Sequence, residues 1–165
     1  MAPLTMDAIG KALRNAIRDD AAILAYCASE FGSAYAIYYT SGGRKGNPTQ
    51  IQYPAFVLRP LNKDIGQGEA KTDRAYAFSL GLAIEDETQT ETTDGNGVLS
   101  VEAEGPKVLE DLLDLARTAM RSVSTELFFS EDTMEMDETV FFPVFSAEVS
   151  MLITYPITPG FDPSL

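Results

Sequence analysis

Three groups of residues in this 165-residue chain have types and spacing that could do chemistry. Gly42, Gly43 and Gly46 surround Arg44 and Lys45, which invites a phosphate-cradling loop. The spacing is not that of a Walker motif, no Ser or Thr follows the lysine, and no helix opens there, so the segment reads as a loop carrying positive charge. Carboxylates cluster at Glu85-Asp86-Glu87 and again from Glu131 to Glu138, where they could hold a hard cation. Neither run follows the ligand order of an EF-hand, and solvated acid is the simpler reading. Cys27 is the only cysteine, and there is no histidine to activate it. No G-x-S-x-G elbow is present, and Gly66-Gln67-Gly68 lacks the third glycine of a dinucleotide site and reads as a turn. Paired carboxylates working on a sugar need a cleft usually walled by aromatic platforms, and the chain has no tryptophan. We therefore expect no catalytic residue, no cofactor and no metal.

Composition narrows the class further. At 17.9 kDa with 45% hydrophobic residues, the chain can bury one core but not two. A lone cysteine excludes an internal disulfide framework and points to a reducing folding compartment. No basic start precedes an apolar run, and no stretch approaches the roughly 20 apolar residues needed to cross a bilayer, so a soluble, unprocessed chain is expected. The net charge of −13 is unevenly spread. Residues 1–74 hold nine Lys/Arg against seven Asp/Glu, or +2, whereas 75–165 hold three against eighteen, or −15. An acidic second half repels a phosphate backbone, which disfavours sequence-reading nucleic-acid binding.

The elements that must position these groups can be read from periodicity. Met6, Ile9, Leu13, Ala16 and Ile17 recur at helical spacing behind Thr5, a good N-cap. Continuing that stripe would put Asp20 on the apolar face, so a break near Asp19-Asp20 is expected, then a second helical piece ending at Gly32. Lys11, Arg14 and Arg18 make a wet basic stripe opposite the core. Ala34 to Thr40 reads as a strand. Tyr53 to Arg59 reads as another, short or at an edge because Pro54 and Pro60 bracket it, with loop from Leu61 to Asp73.

Ala75 to Glu85 alternates large residues (Tyr76, Phe78, Leu80, Leu82, Ile84) with small ones, so its small face is either thinly solvated or lies close to another backbone. Glu85 to Gly97 is then a long polar hairpin tip or partly disordered loop, followed by a short strand near Val98 to Ala103. Pro106 to Val123 is an amphipathic helix with proline at its first position. Thr125 to Phe129 is a possible short strand, Ser130 to Glu138 a hairpin-like excursion, and Phe141 to Tyr155 a closing strand. The expected fold is one α+β domain over 1–155: a mostly antiparallel sheet with one face covered by two amphipathic helices. The proline-rich residues 156–165 form an extended tail that hangs loose or lies along a partner.

In element order, length and apolar texture, the first helix, the Tyr53-Pro54-Ala55-Phe56-Val57-Leu58-Arg59-Pro60 strand, the strand through Ile84, the 106–123 helix and the strand to Tyr155 resemble the tail-terminator, or tail-completion, proteins of long-tailed bacteriophages. The resemblance covers most of the chain; Ser130 to Glu138 and the tail lie outside it. It implies a non-enzymatic virion protein, first present in the host cytoplasm, that forms a hexameric ring with copies of itself. The ring ends polymerisation of the tail tube protein and meets the head-tail connector proteins. DNA passes through the lumen without being read, and no membrane is involved. On that reading Arg44, Lys45, Glu85, Asp86, Glu87, Glu91 and Asp94 are the candidate contacts with neighbouring subunits or the tube. A head-completion or neck connector subunit is the first alternative. A small-molecule-binding domain with a pocket between the sheet and the 106–123 helix is the second.

Overall fold

The computed structural model describes residues 5–39, 52–65, 73–125, 127–136 and 142–156. Helix α1 (Met6–Asp19) opens where the Thr5 hydroxyl accepts the Ala8 amide at 3.1 Å. The chain breaks at Asp20, as the apolar stripe requires. Asp20 donates its amide to the Ile17 carbonyl, and its carboxylate accepts the amides of Ala22 and Ile23, both at 2.9 Å, to start α2 (Ala21–Phe31). One residue thus closes the first helix and caps the second. Gly32 ends α2 at φ 61°, in the left-handed region that a side chain disfavours.

The main sheet has five strands: β1 (Ala36–Tyr39), β2 (Ala55–Ile65), β3 (Asp73–Glu85), β6 (Phe128–Met136) and β7 (Val144–Pro156). Their order is β1-β2-β3-β7-β6, antiparallel except for the β1–β2 pair. Two further strands, β4 (Gln89–Thr93) and β5 (Leu99–Ala103), pair only with each other among the described residues. Helix α3 (Gly105–Arg121) follows. The result is a single α+β layer pair with a mostly antiparallel sheet.

Alternation along β3 decides what the sheet shows to each side. Tyr76, Phe78, Leu80, Leu82 and Ile84 are sealed from solvent, together with Ala147, Val149, Met151 and Ile153 of β7. Onto them pack Ile9, Leu13 and Ile17 of α1, Ile23 and Cys27 of α2, and Leu109, Leu112, Leu113, Ala116, Ala119 and Met120 of α3. Each large side chain removed from water in this way contributes about 1.5–3 kcal/mol. Two glycines permit unusually close packing: a Cβ at Gly10 would overlap the ring of Tyr39, and one at Gly105 the ring of Phe145.

Several strands differ from the sequence reading. β2 is neither short nor at the edge; it runs eleven residues between β1 and β3. Its prolines are accommodated because Pro54 precedes the strand and Pro60 lies past the β1 pairing, which ends at Leu58, next to a bulge between Pro60 and Asn62. The expected loop from Leu61 is therefore strand as far as Ile65. Phe128–Met136 is one strand, not a short strand followed by an excursion; a second bulge between Glu131 and Met134 breaks the alternation that would have marked it. The expected turn at Gly66-Gln67-Gly68 and the proline-rich tail beyond Pro156 lie outside the described residues.

Candidate functional site

The acidic stretch after β3 is ordered as a hairpin of its own. At its root the Asp86 amide donates to the Pro143 carbonyl at 2.8 Å, and the Asp86 carboxylate accepts the Thr88 amide at 2.9 Å. The Glu104 amide donates to the Thr88 carbonyl at 3.2 Å, which closes the two legs just before α3. At the tip the Asp94 carboxylate accepts the amides of Asn96 at 2.9 Å and Val98 at 2.8 Å, and Gly97 takes φ 81°. Those two amide donors hold Asp94 below its usual carboxylate range.

Every residue from Glu87 to Glu102 is exposed. Val98, Leu99 and Val101 are among them, at 59%, 58% and 48% of full exposure. Directly paired residues share a sheet face, and the register sets Glu91 opposite Val101 and Thr93 opposite Leu99. One hairpin face therefore presents two large apolar side chains beside a carboxylate. From Glu85 to Glu104 the sequence has seven acids (Glu85, Asp86, Glu87, Glu91, Asp94, Glu102, Glu104) and no Lys or Arg. The feature is an acidic arm with an apolar stripe.

The site residues proposed from sequence are dispersed along this arm. Glu85 ends β3, Asp86 and Glu87 form the root, Glu91 lies in β4, and Asp94 is occupied in holding the tip. Arg44 and Lys45 lie outside the described residues. Sequence reasoning missed Val98, Leu99 and Val101 as surface groups. The expectation there is only a short strand near Val98 to Ala103, with no direction assigned to its side chains, although the preceding segment, Gln89-Thr90-Glu91-Thr92-Thr93, offers no large apolar residue to pack on them.

Beneath the root lies a hollow of ≈ 260 Å³ lined by Glu30, Phe31, Glu85, Asp86, Glu87, Thr88, Glu104 and Val108. It is smaller than the roughly 300–1,000 Å³ of small-molecule sites, and carboxylates rather than apolar groups dominate its wall. Among the described residues no group of three or more acids or cysteines is placed to hold a metal ion. The space between α3 and the sheet is filled by the core side chains already named. Cys27 is sealed in that core, where burial pushes its thiol up to about 11.

The helix-free face of the sheet carries the small residues of β3. Arg59 and Glu148 reach across β3 to within 3.9 Å of each other, both about half exposed, so the pair contributes little to stability. Below them Ser79 is 1% exposed and its hydroxyl has no hydrogen-bond partner among the described residues. The basic stripe of α1 is engaged locally: Lys11 pairs with Asp7 and Arg18 with Asp19, each at 2.6 Å, and Arg14 donates to Asn15. Among the described residues no helix is long and apolar enough to cross a membrane. No protein-family profile matches the chain, and no curated protein sequence matches it.

Proposed function

We propose that this chain is a structural, non-enzymatic subunit of a long-tailed phage particle. In this reading it forms a ring, a hexamer as the resemblance implies, on the head-proximal end of the tail tube. The ring ends tube polymerisation and offers the surface that joins tail to head. Subunits collect in the host cytoplasm and finish in the virion.

The observation that carries this reading is the acidic hairpin with Val98, Leu99 and Val101 in the open. A two-stranded hairpin is marginal by itself in water, and exposed apolar groups on such an arm favour contact with a neighbour. The cations that could rim such a contact are concentrated in residues 1–74, which hold nine of the twelve Lys and Arg. A hairpin from one copy against the cationic first half of the next is a heterologous contact, and such contacts close into rings when their rotation allows. An acidic lumen would let DNA pass without adhering. The order of elements, with helices on one sheet face, supports the family likeness given above.

Electron microscopy of the purified protein mixed with isolated tail tubes and, separately, with DNA-filled heads tests the proposal. Rings on one end of the tube are the expected result. Binding to heads alone would move the assignment to a neck connector subunit, and binding to neither would end it. A ligand-induced rise in melting temperature without any assembly would favour the small-molecule reading instead. Within the ring reading, Arg44→Glu with Lys45→Glu should impair assembly and leave the fold intact. Normal assembly of that double variant would remove those two residues from the interface.

A further inference from the structure

Helix α2 is apolar on the side that it turns to solvent. From Ala21 to Ser29 it has no charged residue, and only Ile23 and Cys27 are buried in the core, with Tyr26 and Phe31 packed partly against it. The exposed positions Ala21, Leu24, Ala25 and Ala28 follow the i, i+3, i+4, i+7 spacing of a helix face that packs on something. Leu24, 45% exposed, is the one large side chain of this ridge. The other two helices turn charge outward instead: Asp7, Lys11 and Arg18 in α1, and Lys107, Glu110 and Asp114 in α3.

A second apolar surface lies on the same molecule: Leu99 and Val101 on one face of the β4–β5 hairpin. Both surfaces belong to continuous described stretches, 5–39 and 73–125. Each is exposed, so neither covers the other within one copy. Charge decides how they meet between copies. Two hairpins brought together would set acids against acids with no Lys or Arg in either arm, which like-charge repulsion opposes. Two α2 helices packed antiparallel would bring Asp20 of each toward Glu30 of the other. A hairpin on an α2 ridge avoids both. Arg18 precedes the ridge by three residues, and Arg14 and Lys11 continue back along α1 at i−4 and i−7 from it. The Lys11–Asp7 and Arg18–Asp19 pairs are exposed, so little is lost when a further carboxylate joins them, and Arg14 donates to the Asn15 side chain. Asp20 is occupied by the amides of Ala22 and Ile23. The far end of the ridge is acidic, because Glu30 lines the hollow with Glu85, Asp86, Glu87 and Glu104. An incoming acidic arm is therefore drawn to lie with its tip toward α1.

We propose that the β4–β5 hairpin of one copy seats on the α2 ridge of the next, with Leu99 and Val101 against Leu24 and its flanking alanines and the arm's acids toward the basic stripe of α1. The inference rests on the ring reading above for its head-to-tail sense, and it names the subunit contact. The giving and receiving surfaces differ, so the contact is heterologous. Every copy offers an arm and receives one, and all such surfaces are covered only when a ring closes.

Sedimentation velocity of the purified chain and of two variants, Leu24→Asp and Val101→Asp, tests the contact. The parent should self-associate, and each variant alone should do so about tenfold more weakly or worse, because a carboxylate then faces an apolar surface. Both positions are exposed, and circular-dichroism melts check that each variant is folded. The equimolar mixture is the decisive sample. The Leu24→Asp copy keeps an intact hairpin and the Val101→Asp copy an intact ridge, so the mixture should form one-to-one pairs that neither forms alone and that grow no further. A monomeric parent, parent-like association of either variant, or a mixture without pairs would overturn the contact. Rings of Leu24→Asp on tail tubes at parent efficiency would overturn it too, while leaving the ring reading in place. Pairing in the mixture with no parent rings on tubes would end the ring reading instead and uphold the contact.

Discussion

The helix-covered sheet and the β4–β5 hairpin use the same backbone pairing to opposite ends. In β3 and β7 one face is sealed by three helices, and its side chains are at most 4% exposed from Tyr76 to Ile84 and from Ala147 to Ile153. In the hairpin both faces meet solvent, and the two strands are held by their own ladder, the Asp86 root and the Asp94 tip. Stability in the first comes from burial, whereas in the second it comes from local hydrogen bonds. The hairpin is therefore free to change its side chains at little cost to folding, as suits a part that meets partners.

The sharpest test of this difference compares truncations. Phe78→Ala should lower the unfolding free energy by about 3–5 kcal/mol, because a sealed ring leaves a cavity. Val101→Ala should stay within about 0.5 kcal/mol, as surface substitutions do. Denaturant titrations of both variants check the pair, and a large loss for Val101→Ala would show the arm to be part of the core. Next in size is Gly10→Ala, where the new methyl meets the Tyr39 ring; about 1–3 kcal/mol of destabilisation is expected from overpacking.

The two regions should also answer pH with opposite sign. The Tyr35 hydroxyl lies 2.5 Å from the Ile17 carbonyl and 2.9 Å from that of Arg18, and burial pushes it up to about 12. Its folded value lies above its unfolded one of about 10. The stability it contributes is complete below the unfolded value and is lost as pH rises toward 12. Asp94 behaves in reverse. Its folded value is depressed by the Val98 and Asn96 amides, so its contribution is present above the unfolded value, about 3.9, and is lost as pH falls through the folded one. Alkaline melts should show the first loss in the whole domain. Acid titration followed by NMR should show the second in hairpin amides alone, and the smallest effect, Asp94→Ala, should speed hairpin amide exchange at neutral pH without moving the melting midpoint.

What could be read in advance follows the same division. Helical and twofold periods reveal buried faces, so the Asp20 break, α3 and the inward residues of β3 and β7 were legible from spacing alone. β4 was not, because Gln89-Thr90-Glu91-Thr92-Thr93 has no apolar alternation and forms a strand through pairing with β5. β6 was obscured by its bulge, and the length of β2 by Pro60. The candidate surface was half legible. The acids were visible as charge, but their roles diverge: Asp86 and Asp94 fix the arm's shape, while Glu91 shares a face with Leu99 and Val101. Whether an apolar residue points inward or outward depends on which other element arrives to cover it, and that is not contained in the strand itself.

Cys27 carries a practical consequence. Its sulfur is the chain's only one that alkylates readily near neutral pH, and in the folded state it is both walled off and protonated. An alkylating reagent therefore reaches it when α2 lifts from the layer beneath, and the labelling rate becomes a built-in clock for that opening. The wild-type chain can report its own breathing, unmutated, whether it drifts alone or is locked in a larger assembly.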